Sequence, residues 1–178
     1  SPDQAQLTSA LSDVSYNQVN QSTRYSDPEL RPHSHPSLVE DQEITKLNQL
    51  ITEMMSSADW QATLMQHLSQ QHMQFDVPEN GINTTQLERL LEQGCRYIPM
   101  PGLRPLTRKL PGNAYYHLFI DGESFRLPNG ELNELMEILD GPEVDAKILS
   151  HKQGFALLPL LATLINKGYW IKTEDEEY

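Results

Sequence analysis

Apolar residues recur along this chain with two different periods, and the change between them divides it. In the first half the spacing is helical and the stripes are narrow. Leu7, Leu11 and Val14 predict a helix that opens at Ser1-Pro2, with serine as cap and proline at the first helical position. Between about Val39 and Ser56, the residues Ile44, Leu47, Ile51, Met54 and Met55 fall at i, i+3, i+7, i+10 and i+11, one face of a second helix. Glu40, Asp41 and Glu43 occupy its first turn, where the positive end of the helix dipole favours them. Trp60, Leu64 and Leu68 form an i+4 row on a third helix running to about Met73, with Ser57 or Asp59 as its cap. Stripes this narrow bury little by themselves, so the expected cover is a second copy of the chain. The expected homodimer interface is Leu7, Leu11, Val14, Ile44, Leu47, Ile51, Met54, Trp60, Leu64 and Leu68.

Beyond Pro78 and Gly81 the pattern changes. Thr85 to Glu88 reads as a capping box, Leu87, Leu90 and Leu91 as an apolar helix face, and Gly94 as the left-handed stop. Arg96 to Pro99 and Leu103 to Leu110 are short extended pieces cut by prolines. Tyr115 to Ile120 is a strand, Asp121-Gly122 a hairpin turn, and Glu123 to Leu127 the return strand. A helix over Glu131 to Asp140 ends at Gly141-Pro142, and Val144 to Leu149 fits either a strand or a short helix. The last helix spans Ala156 to Lys167, with Pro159 in its first turn and Gly168 as stop; Tyr169 to Lys172 returns as a strand. The expected class is α+β and mostly helical: a dimerisation segment at 1–77 with a proline-rich loop near 25–37, a linker at 78–83, a winged-helix domain at 84–172, and an acidic tail at 173–178.

Charge narrows the partners. The chain has 13 basic and 25 acidic residues, a formal net charge of -12, with residues 1–80 at -8 and 81–178 at -4. A field of that sign repels phosphate backbones and attracts basic surfaces. The longest apolar run, Phe155 to Ala162, is interrupted by proline and falls far short of the ~20 residues that span a bilayer. No signal peptide is visible, and the single cysteine, Cys95, forms no internal disulfide; both fit a cytoplasmic setting.

Catalytic chemistry finds no purchase. His33 and His35 lie in the proline-rich loop with no third ligand at suitable spacing. His67 and His72, five apart on one helix, stand about 140° apart around its axis and do not converge on a metal. None of the six histidines is followed two positions later by Asp or Glu, which removes the usual iron facial triad. Cys95, just past Gly94, suits a core position better than a nucleophile, and no nucleophile elbow, phosphate-binding loop or dinucleotide fingerprint is present. The expectation is no catalytic, cofactor-binding or metal-binding residue. DNA reading is disfavoured too. The helix over 131–140 carries Glu131, Glu134, Glu137 and Asp140 without a base, and Arg104, Arg108 and Lys109 sit on an extended segment that reaches phosphate at most.

Several motifs nonetheless follow one another in a familiar order. Tyr25-Ser26-Asp27-Pro28 with His35-Pro36, the two-helix segment, Gly102-Leu103-Arg104, Asp121-Gly122-Glu123, and Leu161-Ala162 through Asn166 to Trp170 resemble the C-terminal half of the bacterial JmjC-type ribosomal oxygenases. Between Arg104 and Tyr116 the chain is longer and richer in proline than that pattern. The resemblance implies a parent enzyme whose N-terminal cupin barrel holds Fe(II) and 2-oxoglutarate and hydroxylates an arginine of a large-subunit ribosomal protein. It implies a helical homodimerisation segment and a closing winged helix as this chain's share, with the cupin domain and a basic ribosomal protein as partners, and neither DNA nor membrane. A standalone acidic adaptor and a DNA-binding winged-helix regulator are the alternatives.

Overall fold

A computed structural model describes residues 4–19, 39–71, 73–127, 130–150 and 154–173. The loop near 25–37, the opening Ser1-Pro2, His33, His35, His72 and the acidic tail lie outside the described residues. The chain divides into two compact units, residues 1–68 and 69–178. The class is α+β, with helices predominating over small antiparallel sheets.

The first unit is three helices: α1 (Gln4–Val19), α2 (Asp41–Ser56) and α3 (Ala58–Ser69). The second helix starts at Asp41, two residues later than the stripe suggests, because Glu40 is its cap and the Glu43 carboxylate returns to the Glu40 backbone N–H at 3.0 Å. Of the two candidate caps for α3, Ser57 is the one used, its hydroxyl accepting from Trp60 N at 3.2 Å. The third helix ends at Ser69 rather than near Met73. His67 Nε2 meets Asp13 Oδ2 at 2.9 Å and ties α3 to α1.

The second unit contains α4 (Thr84–Glu92), β1 (Tyr97–Pro99), β2 (Leu106–Lys109), β3 (Tyr116–Ile120), β4 (Glu123–Arg126), α5 (Leu132–Asp140), α6 (Gly154–Asn166) and β5 (Trp170–Lys172). Its strands form two antiparallel sheets, β1–β5 and β2–β3–β4. The α4 capping box is Asn83 with Gln86, two residues upstream of the threonine expected, since Asn83 Oδ1 accepts from Gln86 N at 2.9 Å and Gln86 Oε1 accepts from Asn83 N at 2.9 Å. Gly94, at φ +89°, closes α4: Gly94 N donates to Leu91 O and Cys95 N to Leu90 O, both at 2.9 Å. Because α6 begins at Gly154, Pro159 sits two residues deeper than expected, in the second turn. Gly168 ends α6 at φ +77°, and a side chain there would collide with Asp76 O at 2.8 Å, so glycine is required twice over. Asp121 (φ 45°) and Gly122 (φ 81°) are both left-handed, which makes the hairpin a type I′ turn, as its sequence predicts.

The stretch Val144 to Leu149 resolves its ambiguity by being both. Val144 bridges to Tyr97 through N–H···O bonds of 2.7 and 3.0 Å, and Ala146–Ser150 then winds into a 3₁₀ turn. The core of this unit collects Leu87 and Leu91 of α4, Leu118 and Ile120 of β3, Leu135 of α5, Trp170 of β5 and the inner face of α6. Cys95 is half-buried against that core, the position expected of it. The expected linker at 78–83 is fastened. Ile82 N donates to Asn166 Oδ1 at 2.8 Å and Ile82 O accepts from Asn166 Nδ2 at 2.9 Å.

Candidate functional site: an apolar helix face

Along α2 the stripe is real, and among the described residues it is left exposed. None of its sixteen residues is buried, and Ile44 (47% exposed), Leu47 (51%) and Ile51 (49%) present their side chains to solvent together with Leu50 and Met55. At 100° per residue these positions span about 140° of arc, a coherent ridge rather than scattered surface leucines. Leu50, absent from the expected set, belongs to the ridge. Met54 is half-covered. On α1, Leu7 and Leu11 are also exposed, while the side chain of Val14 is outside the described residues. The row on α3 behaves differently. Trp60 is only 5% exposed, and Leu64 and Leu68 are half-buried, so the chain itself already covers the largest apolar group assigned to the interface. A tryptophan buries 150–250 Å2 when covered, and one covered at home has little left to offer a partner. Trp60 is therefore withdrawn from the interface.

The second unit is rich in polar fastenings that no sequence pattern announces. Gln71 N donates to Asp121 Oδ1 at 2.8 Å, Gln71 Nε2 to Gly102 O at 2.8 Å, and Gln71 Oε1 accepts from Arg104 N at 2.7 Å. Ser69 Oγ accepts from Gly122 N at 3.1 Å. The end of α3 and the residue pair after it thereby hold both the β1–β2 loop and the hairpin turn.

One pair of side chains has the look of nucleophile and base. His117 Nδ1 lies 3.0 Å from Ser124 Oγ, across β3 and β4. Its other nitrogen, Nε2, faces Asn113 Nδ2 at 3.5 Å. Ring donor and acceptor roles follow the tautomer, and among the described residues no carboxylate hydrogen-bonds the ring to complete a catalytic relay. The pair is a cross-strand polar contact. Burial, and then Arg126, hold the His117 pKa below its ordinary value.

Acidic groups gather on another face. Glu134, Glu137, Glu143 and Asp145 rim a hollow of about 350 Å3 floored by Ile138 and Val144. Glu131, at the start of α5, is almost fully buried with Oε2 unpartnered; burial and then Glu134 raise its pKa. Burial and the carboxylates of Glu123 and Asp121 push the Tyr169 hydroxyl up to about 12. Among the described residues no three His, Cys, Asp or Glu side chains come together as metal ligands. No described helix is long and apolar enough to cross a membrane.

No protein-family model matches the chain. Across 95% of its length it is 26% identical to the ribosomal protein uL16 3-hydroxylase of Escherichia coli K12, covering 44% of that protein. Solved structures of the E. coli ribosomal oxygenase YcfD superpose on it. One, in complex with cobalt and 2-oxoglutarate, gives a TM-score of 0.74 at 25% identity over 98% of this chain and 47% of that one. Another E. coli YcfD structure gives 0.74 at 26% identity over 97% and 46%. This chain is a homologue of that hydroxylase and spans about half the length of the relatives it matches.

Proposed function

We propose that this chain is the non-catalytic assembly module of a 2-oxoglutarate-dependent ribosomal oxygenase. The α2 ridge carries the reading: a helix with no buried residue and five exposed large apolar side chains gains nothing from its own fold. Two copies related by a twofold axis would lay ridge against ridge, with Leu7 and Leu11 at the margin. Such a pairing would take the exposed aliphatic ridge of both copies out of water, the dominant favourable term in association. A homodimer is therefore the expected state.

The second unit acts as a winged helix, with α4, α5 and α6 as its helices and β2–β3–β4 as its wing. Its α5 exposes Glu137 and Asp140 and carries no base, a poor match to a DNA groove. Iron and 2-oxoglutarate belong to a JmjC-type cupin barrel on the same polypeptide, which activates oxygen for insertion into an arginine C–H bond of a basic large-subunit ribosomal protein. This module's part is to fix two such barrels relative to each other in the cytoplasm and to draw the basic substrate in by its negative field. The E. coli relative, solved in complex with cobalt and 2-oxoglutarate, supports a 2-oxoglutarate-dependent parent.

Sedimentation equilibrium tests the assembly role: a dimer is expected at low micromolar concentration, and a monomer at high micromolar concentration ends the proposal. An in-frame barrel with His-X-Asp upstream of Ser1 is the genetic counterpart. Substrate capture by the full polypeptide should weaken as salt rises; salt-independent capture would remove the steering role.

A further inference from the structure

We infer that the acidic hollow beside α5 seats a lysine or arginine side chain of a basic protein segment, its aliphatic stem over Ile138 and Val144 and its charged head at Glu134 and Glu137. The cavity, about 350 Å3, is lined by Glu134, Glu137 and Ile138 of α5 and by residues of the 142–148 stretch that follows. Those three helical residues fall at i, i+3 and i+4, so one side of α5 supplies both the carboxylates and the apolar floor. Val144 is buried and pinned by its bridge to Tyr97, which fixes the facing wall.

The hollow lacks a sufficient cation of its own. Every charged residue from Leu127 to Ala146 is acidic. Glu143 meets Arg96 at 3.4 Å and Asp145 meets Lys147 at 3.3 Å, but both cations are largely exposed and the pairs are weakened by solvent. Among the described residues no cation pairs with Glu134 or Glu137. The Oε2 atoms of Glu134 and of Glu131, one turn nearer the helix start, are buried without a hydrogen-bond partner. Glu131 is only 5% exposed, and burial and then Glu134 raise its pKa, as befits a carboxyl with no counter-charge. An acidic face kept only for solubility would leave such oxygens in water. Buried and unpartnered, they call for a missing donor, and a cation satisfies them best.

The lining selects among cations. No three His, Cys, Asp or Glu side chains converge as metal ligands among the described residues, so a divalent ion finds too few oxygens. A bare ion also gains nothing from Ile138, Val144 and Ile148. Lysine and arginine do gain, because they lay their methylene stems along apolar surface and keep the charged head for carboxylates. The net charge of -12 draws basic chains from a distance, and the hollow then fixes one side chain of such a chain. That the segment belongs to a basic ribosomal protein rests on the steering role proposed above; the demand for a cation with an apolar stem does not.

The test is fluorescence anisotropy of a labelled peptide of alternating glycine and arginine, titrated with the full 178-residue chain at low salt. Binding is expected, with NMR methyl shifts at Ile138, Val144 and Ile148 on peptide addition. Glu134→Gln with Glu137→Gln should weaken binding at least ~10-fold. Glu53→Gln with Glu79→Gln makes the same change of charge at exposed residues outside the hollow and should weaken it less than ~2-fold. If the first variant melts early, Glu137→Lys decides: it places a lysine on the exposed rim and should cost as much at wild-type Tm. No binding, wild-type affinity in the folded variants, or displacement of the peptide by magnesium at matched ionic strength would each overturn the inference. Equal losses in both double variants would overturn it too, while leaving the steering field intact. Sedimentation of the same samples keeps the hollow apart from the assembly role: unaltered peptide affinity in a dimeric hollow variant sinks only the hollow.

Discussion

Helices α2 and α6 are of similar length and both carry abundant aliphatic residues, yet one has no buried residue and the other is the centre of a core. In α6, Leu157, Leu158, Leu161, Leu164 and Ile165 are buried on several sides, because α4, the 3₁₀ turn and β5 pack around it. In α2 no residue is buried. The difference teaches where each helix finds its stability. A helix apolar nearly all round must be enclosed by its own domain, whereas one with a single ridge and charged flanks is soluble alone and complete only against another surface. The second unit thus encloses its apolar helix, whereas the first leaves the α2 ridge exposed.

The contrast can be broken from the enclosed side first. Trp170→Ala, at a side chain 1% exposed, should cost about 3–5 kcal/mol and unfold the second unit, read as a fall in Tm by calorimetry. From the open side, Ile44→Glu with Leu47→Glu should raise the dimer dissociation constant at least ~100-fold, about 2.8 kcal/mol, in sedimentation velocity. Hydrogen-exchange protection of Leu118 should stay unchanged in that variant; lost protection would mean that the ridge serves the fold rather than assembly. Asn166→Ala leaves both backbone groups of Ile82 unpaired and should destabilise the second unit by about 1–3 kcal/mol in urea denaturation.

The smallest effect depends on pH. The folded state raises the Glu131 pKa above the ordinary carboxylate value, so it holds a proton that the unfolded chain has already released. Stability from this residue is therefore intact below the unfolded pKa and declines as pH rises through the folded one. Glu131→Gln removes the charge and should stabilise the protein by about 1 kcal/mol at neutral pH, with the gain vanishing in acid. A gain independent of pH would assign it to packing instead.

Much of the architecture was legible because it depends on local chemistry. The Asp121-Gly122 turn, the glycine stops at Gly94 and Gly168 and the α2 stripe all reflect backbone conformations or periodicities that few residues satisfy. Element ends shifted by a residue or two wherever a better cap competed, as Asn83 did with Thr85. The candidate surfaces were legible only in part. The ridge could be read from spacing, but the cover over Trp60 could not, since an i+4 row looks the same whether it faces a partner or its own chain. The hollow beside α5 shows in the sequence as acidic spacing alone; packing sets its apolar floor.

From its residues alone, then, this protein determined its helices, its hairpin, its acidic balance and the want of a metal-ligand motif, because each follows from neighbours within a few positions. Tertiary structure decided which apolar faces were spent internally, why Gln71 and Asn166 matter, and which charges share a face. Those outcomes depend on groups far apart in the chain being brought to within about 3 Å of each other, a distance only packing and strand pairing can set.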